Sequence, residues 1–459
     1  MTDGAFLLLY CSSSPEGAMH AIAQPLGILY LGAIFEKAGV EVSCIDERIS
    51  TAECIEEAIR QADVVGLSAM TPDIARALAW AAFAKARGKT TMIGGPHATV
   101  DPHSLLDSGF VDYVFIGESE VTLEEALPLL GDKEKLKLVK GLGFFDDDGE
   151  KIITEARMFT EDLDAAPFPA RHLLPMDEYF ARNKSHLAYL YTSRGCPYSC
   201  VFCQKAITGR KYRARSVEDV CDEMEQMLGE HDVGEIMFID ELFTVKPPRV
   251  TELCDEIVRR KIEIDWVCET RVDRIDYEMM MKMRSAGMRR LYLGVETGSP
   301  RSLETLQKRF TVDKVLETLH AARRAHLWTK IFLIIGTPGE TREDFELTAG
   351  MLRKGHPDMI RSALFNPLIG SESFEKYHDR IDFDLIFKEY VASGGAPYKH
   401  ENFTVDELNE IDRTLIENYE QWYRRPAQRL ERLFWRLRFY IANPSHLLHR
   451  FSHPRPTLH

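Results

Sequence analysis

Three of the nine cysteines stand within eight residues, as Cys196-Pro-Tyr-Ser-Cys200-Val-Phe-Cys203. The other six, Cys11, Cys44, Cys54, Cys221, Cys254 and Cys268, are scattered. In a large chain of cytoplasmic character, bunched thiols point to metal or redox chemistry rather than disulfides. Three thiolates suit an iron–sulfur cluster with one iron left open, because a closed cluster uses four cysteines. An open iron can take an outside ligand. A structural zinc site wants four ligands, usually as two Cys pairs. No second Cys pair and no nearby His follows Cys203.

The cysteine segment follows an apolar run, Leu187–Thr192, read as a strand. It therefore sits on a loop at a strand's C-terminal end, where βα barrels carry their chemistry. Five further strand candidates follow: Glu235–Ile239, Asp265–Cys268, Arg290–Val295, Lys330–Ile335 and Arg361–Phe365. Helical patterns separate them, two opened by Ser216-Val-Glu-Asp219 and Thr341-Arg-Glu-Asp344 in the manner of a capping box. Six βα units in a row predict a partial (βα)6 barrel. Upstream, Phe6–Tyr10, Val40–Ile45, Val64–Ser68, Thr91–Gly94 and Tyr113–Ile116 alternate with helical segments. That rhythm predicts a Rossmann-like, doubly wound parallel sheet. Between the two halves, Leu142–Phe145 and Lys151–Thr154 flank Asp-Asp-Asp-Gly, a hairpin signal, and Pro167, Pro169 and Pro175 follow in a stretch read as a linker. The expectation is an α/β protein in four parts: 1–130, 131–185, 186–399 and a helical C-terminal tail over 400–459.

Bulk composition narrows the function. The 459 residues carry a formal charge of −15, which argues against a general nucleic-acid binder. No run of about 18 apolar residues predicts a spanning helix. Met1–Tyr10 lacks a basic region before its apolar run, so it reads as a first strand rather than a signal peptide. A cytoplasmic location is expected.

The Cys-x3-Cys-x2-Cys spacing, with an aromatic residue before the last Cys, resembles the signature of the radical S-adenosylmethionine (SAM) superfamily. The resemblance implies a [4Fe–4S] cluster on Cys196, Cys200 and Cys203 whose open iron chelates SAM, and cleavage of SAM to a 5′-deoxyadenosyl radical. Later segments match that family in order. Met237-Phe-Ile-Asp-Glu-Leu-Phe243 looks like the region that meets the SAM amino group, with Asp240 or Glu241 as acceptor. Arg271, ending Trp266-Val-Cys-Glu-Thr-Arg271, is implied to hold the SAM carboxylate as a fork donor. Leu293-Gly-Val-Glu-Thr-Gly298 resembles the ribose motif, with Glu296 accepting from the hydroxyls. In Ile331-Phe-Leu-Ile-Ile-Gly-Thr-Pro-Gly-Glu-Thr341 the family's first Gly is replaced by an apolar residue, while Gly336 keeps the adenine-side turn. Singly, such acids and glycines often serve only as helix caps and tight turns. Their order over residues 187 to 370 carries the resemblance.

A doubly wound sheet binds ligands at the carboxyl ends of its strands. The candidate turns are Gly66-Leu-Ser68-Ala-Met-Thr71, Gly94-Gly95-Pro-His97 and Gly117-Glu118. No dinucleotide fingerprint follows the first strand, so NAD and FAD are disfavoured. Together with Pro25-Leu-Gly-Ile-Leu-Tyr30, these turns resemble the cobalamin-binding domain that precedes many radical SAM domains. The resemblance implies that Ser68, Thr71, Gly94, Gly95, His97, Gly117 and Glu118 surround cobalamin. The Asp-x-His-x-x-Gly motif that ligates cobalt in methionine-synthase-like domains is missing. His97 is therefore expected at the cofactor rim or in a hydrogen bond, and His20 is a poorer candidate. A domain that has lost cobalamin and merely covers the barrel mouth is the bland alternative.

Near the C-terminus, Leu430, Leu433, Phe434, Leu437 and Tyr440 recur at helical spacing among Arg424, Arg425, Arg429, Arg432, Arg436 and Arg438. Such a helix either meets an anionic membrane surface peripherally or packs its apolar stripe on the barrel with its arginines solvated. The second arrangement is the favoured expectation.

The resemblance implies a cobalamin-dependent radical SAM enzyme that methylates an unactivated carbon of a small-molecule or lipid-like substrate. It also implies a low-potential electron donor such as a flavodoxin or ferredoxin. Oxidative cyclisation or rearrangement without methyl transfer is one alternative. A non-catalytic cobalamin- or cluster-binding sensor is another, disfavoured by the ordered SAM segments. Cys268, at a barrel strand end, is either a hydrogen donor to substrate or, preferentially, a small buried residue.

Overall fold

A computed structural model describes residues 4–12, 22–183, 185–386 and 396–443. His20 lies outside them, as does the side chain of Tyr440. The first sheet has seven strands: β1 (Phe6–Tyr10), β2 (Val42–Asp46), β3 (Val64–Ser68), β4 (Thr90–Gly94), β5 (Tyr113–Phe115), β6 (Leu142–Phe145) and β7 (Lys151–Ile153). Their spatial order is β2-β1-β3-β4-β5-β6-β7. The first five are parallel, and helices cover both faces, which is why runs such as Phe-Leu-Leu-Leu-Tyr are apolar on both sides.

The hairpin between the halves is not a free connection. β6 pairs antiparallel to β5, and β7 to β6, so the hairpin completes the first sheet. Asp146 makes its turn by accepting from the backbone N–H groups of Asp148 and Glu150, at 3.1 and 2.9 Å.

The second sheet contains β8 (Leu187–Leu190), β11 (Glu235–Phe238), β12 (Asp265–Thr270), β13 (Met288–Glu296), β14 (Trp328–Ile335) and β15 (Met359–Leu364), all parallel, in the order β15-β14-β13-β12-β11-β8. This is the open (βα)6 barrel. A two-stranded ribbon, β9 (Ser193–Arg194) with β10 (Arg213–Ala214), brackets the cysteine loop. Of the two expected capping boxes, the one at Thr341 is complete, with Asp344 as its reciprocal partner. At Ser216 only the hydroxyl caps, accepting from the Asp219 N–H.

One apolar core lies between the barrel strands and their outer helices, and another covers one face of the first sheet. A third runs from the opposite face (Phe6, Leu8, Phe144) through Leu174 and Tyr179 into the barrel lumen at Tyr189, Val267 and Tyr292. This shared core joins the halves. Two helices close the described chain, Val405–Tyr423 and Pro426–Ala442. In the second, Leu430, Leu433, Phe434 and Leu437 are exposed instead of packed on the barrel. The helix docks through Phe439 and Arg432, because those side chains find ring partners in the body and the leucine stripe faces away.

Candidate functional site at the junction of the two sheets

The cysteine loop begins where β8 ends. Asp240, just past β11, accepts from the Thr192 N–H at 2.7 Å, from the Thr192 hydroxyl at 2.5 Å and from the Ser193 hydroxyl at 2.5 Å. Arg249 donates to the Thr192 carbonyl at 2.9 Å. Both Asp240 oxygens thus anchor the loop. Glu241 lies on the other side of the strand end and accepts from the Gly195 N–H, one residue before Cys196, at 3.1 Å. Burial pushes its carboxyl above the ordinary range. Gly195 holds φ +86°, and a Cβ there would lie 2.2 Å from the Lys211 carbonyl oxygen, so only glycine fits.

Cys196 and Cys200 are half-buried and Cys203 is exposed. Among the described residues no three His, Cys, Asp or Glu side chains form a group that would hold a single metal ion. Arg271 donates to the Cys200 sulfur at 3.6 Å and stacks over Tyr198 of the same loop, 3.9 Å from its ring centroid. Its fork is already engaged: Nε and Nη2 donate to the two Asp273 oxygens at 2.9 and 3.1 Å. Asp273 reaches Arg271 because it follows it by two residues and turns back on it.

Glu296 accepts from the buried Lys308 ammonium at 2.7 Å. Its backbone is left-handed at φ +71°, at a register shift between Gly294 and Glu296. A non-glycine residue held there costs free energy, and such strain collects at functional sites. Gly336, at φ +78°, ends β14, and a Cβ on it would meet Leu408 at 2.7 Å. The turn that follows is held by Glu340, which accepts from the Gly336 and Thr337 N–H groups at 2.8 and 3.0 Å. Burial pushes the Glu340 carboxyl up to about 7.

Across the junction, the carboxyl ends of the first sheet face the cysteine loop. A cavity of about 440 Å³ is lined by Ser68, Gly94, Gly95, Gly117 and Glu118 on one side and by Tyr191, Arg194, Thr208 and Ile239 on the other. Gly95 holds φ +101°, and a Cβ there would stand 3.1 Å from the Ser68 hydroxyl. Thr71 and His97 do not line this cavity. They bond each other, Thr71 Oγ1 to His97 Nδ1 at 3.2 Å, and burial pushes the imidazole down. His97 makes a hydrogen bond in this structure, and Thr71 is its partner. Glu118 is paired with Arg213 of the ribbon, and Arg194 with Glu120 at 2.6 Å. Lys308, Glu340, Arg194 and Arg213 are not singled out by the sequence; for the two arginines the opposite charges at 118–120 are a cue.

The radical SAM superfamily model matches residues 190–352, and the B12 binding domain model matches residues 18–127. The chain belongs to the cobalamin-dependent radical SAM family. Its cofactors are a [4Fe–4S] cluster, SAM and cobalamin. This radical SAM protein is 28% identical over 431 residues to an uncharacterized methyltransferase of Pyrococcus horikoshii, covering 92% of each chain. It is 29% identical over 422 residues to the anaerobic magnesium-protoporphyrin IX monomethyl ester cyclase of Rubrivivax gelatinosus, covering 88% of this chain and 74% of that one. Its fold superposes on the radical SAM methyltransferase TsrM from Kitasatospora setae, solved with cobalamin and [4Fe–4S] cluster bound, with a TM-score of 0.69 at 17% identity over 82% of this chain and 75% of that chain.

The residues present fit both resident groups. The cysteine loop carries cations against a cluster's negative charge: Arg271 on the Cys200 sulfur, and Lys205, whose ammonium donates to the Cys196 carbonyl at 3.3 Å. The junction cavity is walled by Gly27, Gly66, Gly94, Gly95 and Gly117, which lack side chains and leave backbone open to a bulky ligand.

Proposed function

We propose that the protein is a methyltransferase acting on an unactivated carbon of a small or lipid-like organic substrate. One observation carries the reading. The cavity at the carboxyl ends of the first sheet is walled on its far side by Tyr191 and Arg194, which lead directly into the cysteine loop. Cobalamin and a radical generator therefore share one chamber in this proposal. When bound, the cluster, SAM and cobalamin supply the radical and the methyl group.

The chain's own residues bind, orient and exclude water. Cys196, Cys200 and Cys203 hold the cluster. Glu241 accepts from the SAM ammonium and Glu296 from the ribose, with Gly336 along the adenine. Ser68, Gly94, Gly95 and Gly117 let the cobalamin tail approach backbone. Glu118 and Asp240 position the loop instead of touching a ligand. Below this level the lumen offers Lys330, Tyr292 and Glu269 to a substrate. The Lys330 ammonium lies 3.5 Å from the Tyr292 ring centroid and feels the Glu269 carboxylate.

Cyclisation without methyl transfer is the second reading, favoured by the cyclase relative that matches 88% of the chain. Anaerobic reconstitution with cluster, cobalamin, SAM and a low-potential reductant separates the two. Methylcobalamin together with S-adenosylhomocysteine supports methyl transfer. Only 5′-deoxyadenosine, with cobalamin bound but unmethylated, supports the second reading.

A further inference from the structure

The last described helix, Pro426–Ala442, carries a feature that the chemistry at the junction does not use. Leu430, Leu433, Phe434, Leu437 and Ile441 are each at least 50% exposed. At about 100° per residue these five positions span an arc of roughly 100° on one side of the helix. The opposite side faces the body, where Phe439 is buried against His326 and Arg284, and Arg432 lies 3.8 Å over the Tyr423 ring. The exposed stripe is therefore a property of a docked helix.

Arginines border that stripe. Arg429 and Arg436 fall on the edge between the apolar face and the body, and Arg438 falls on the other edge. Residues 424–438 contain six arginines and one acid, Glu431, in a chain whose formal charge is −15. Beneath the helix lies a cavity of about 300 Å³ whose walls include Arg323, His356, Arg429, Arg432 and Arg436. The acid that lines it, Asp358, and the neighbouring Glu431 are both engaged. Glu431 pairs with Arg323 at 2.8 Å, and Asp358 accepts from the Tyr423 hydroxyl at 2.6 Å and the Thr329 N–H at 2.8 Å. Among the described residues neither Arg429 nor Arg436 has an acidic partner. Burial and the nearby Arg323 charge push the His356 imidazole down to about 4, so the arginines carry the positive charge of this cavity at neutral pH.

We infer that this helix seats the protein on an anionic lipid bilayer, with its leucine and phenylalanine face in the acyl boundary and Arg429 and Arg436 on lipid phosphates. An apolar face bordered by arginines is what an interfacial helix requires, and no described helix is long and apolar enough to cross a membrane. The cavity opens beside Thr329, near the start of β14, at the barrel end away from the cysteine loop. The anchor would thus leave the catalytic mouth facing away from the lipid. The inference is independent of which reaction the protein performs.

The test uses the full chain, loaded with cluster, and sucrose-filled vesicles of phosphatidylcholine with or without roughly a third phosphatidylglycerol. Co-sedimentation with the anionic vesicles at low salt, weakened by added salt, is the expected result. Leu433→Glu with Leu437→Glu abolishes it. Arg429→Gln with Arg436→Gln lowers partition onto anionic vesicles about tenfold or more and removes the preference over neutral ones. All four side chains are surface residues, so unchanged cluster absorbance and circular dichroism verify folding. No sedimentation of the parent protein at low salt overturns the inference, as does equal partition onto both vesicle types. A parent dimer that the double Glu variant turns into a monomer, with no vesicle binding by either, overturns it in favour of a subunit contact.

Discussion

Both oxygens of the Glu118 carboxylate accept from the Arg213 guanidinium, each at 2.7 Å, and Arg194 approaches the same carboxylate at 3.4 Å. Glu118 follows the last parallel strand of the first sheet, while Arg194 and Arg213 pair with each other in the ribbon around the cysteine loop. The cavity wall and the cluster loop are thus fastened to each other by buried charge.

Removing one member of that pair leaves the other charge buried alone, which costs roughly 3–5 kcal/mol. Glu118→Ala is expected to lower stability by that order and to release cobalamin. Arg213→Lys keeps the charge but loses the fork, so it should fall in between. Denaturant titration and the visible absorbance of retained cobalamin measure both. Unaltered stability in Glu118→Ala would show that the pair does not hold the halves together.

Two cysteine substitutions should behave oppositely. Cys203→Ala is expected to abolish the iron–sulfur absorbance and SAM cleavage. Cys268→Ala should keep both, because Cys268 is fully buried in the core beneath the outer helices, with Phe238 and Trp266. It is the small buried residue of its two expected roles, and its substitution should cost about 1 kcal/mol in stability. Iron and sulfide content together with thermal melts decide.

Glu340 makes stability depend on pH. Its carboxyl is raised from 4.5 to about 7 by burial, so between those values the folded chain keeps a proton that the unfolded chain releases. Stability should therefore fall as pH rises through that window, by on the order of 1–3 kcal/mol. Glu340→Gln retains an acceptor for the Gly336 and Thr337 N–H groups and should flatten this part of the profile. Melting curves across the window compare the two proteins.

Lys330 should trade stability for function. Burial pushes its ammonium down to about 8, from 10.5. Below pH 8 the folded chain bears the full cost of the buried charge, and stability rises as pH climbs from about 8 towards 10.5. Lys330→Met is expected to be more stable at neutral pH by about 1–2 kcal/mol and to lose turnover of the natural substrate, while SAM cleavage without substrate persists.

Much of the architecture was legible in the chain. The strand runs stood out because strands of a parallel sheet covered on both faces are largely apolar, so β1 needs no alternation to be seen. Neighbouring site residues were harder to tell apart. Asp240 and Glu241 are equivalent acids on paper, yet successive side chains at a strand end point to opposite sides. One meets Thr192 and Ser193, the other the Gly195 N–H. Nor does the sequence show that Asp273 turns back to accept from the Arg271 guanidinium.

By itself, the sequence determined the cofactor chemistry and the order of the elements. Thiolate spacing, turn glycines and apolar runs are local properties, set by a few adjacent residues. Only the tertiary structure decided which acid anchors the cysteine loop, that Glu118 reaches Arg213 across 95 positions, and that the C-terminal stripe is exposed among the described residues. Those outcomes depend on contacts between distant segments, and periodicity shows that a helix has an apolar face without showing what covers it.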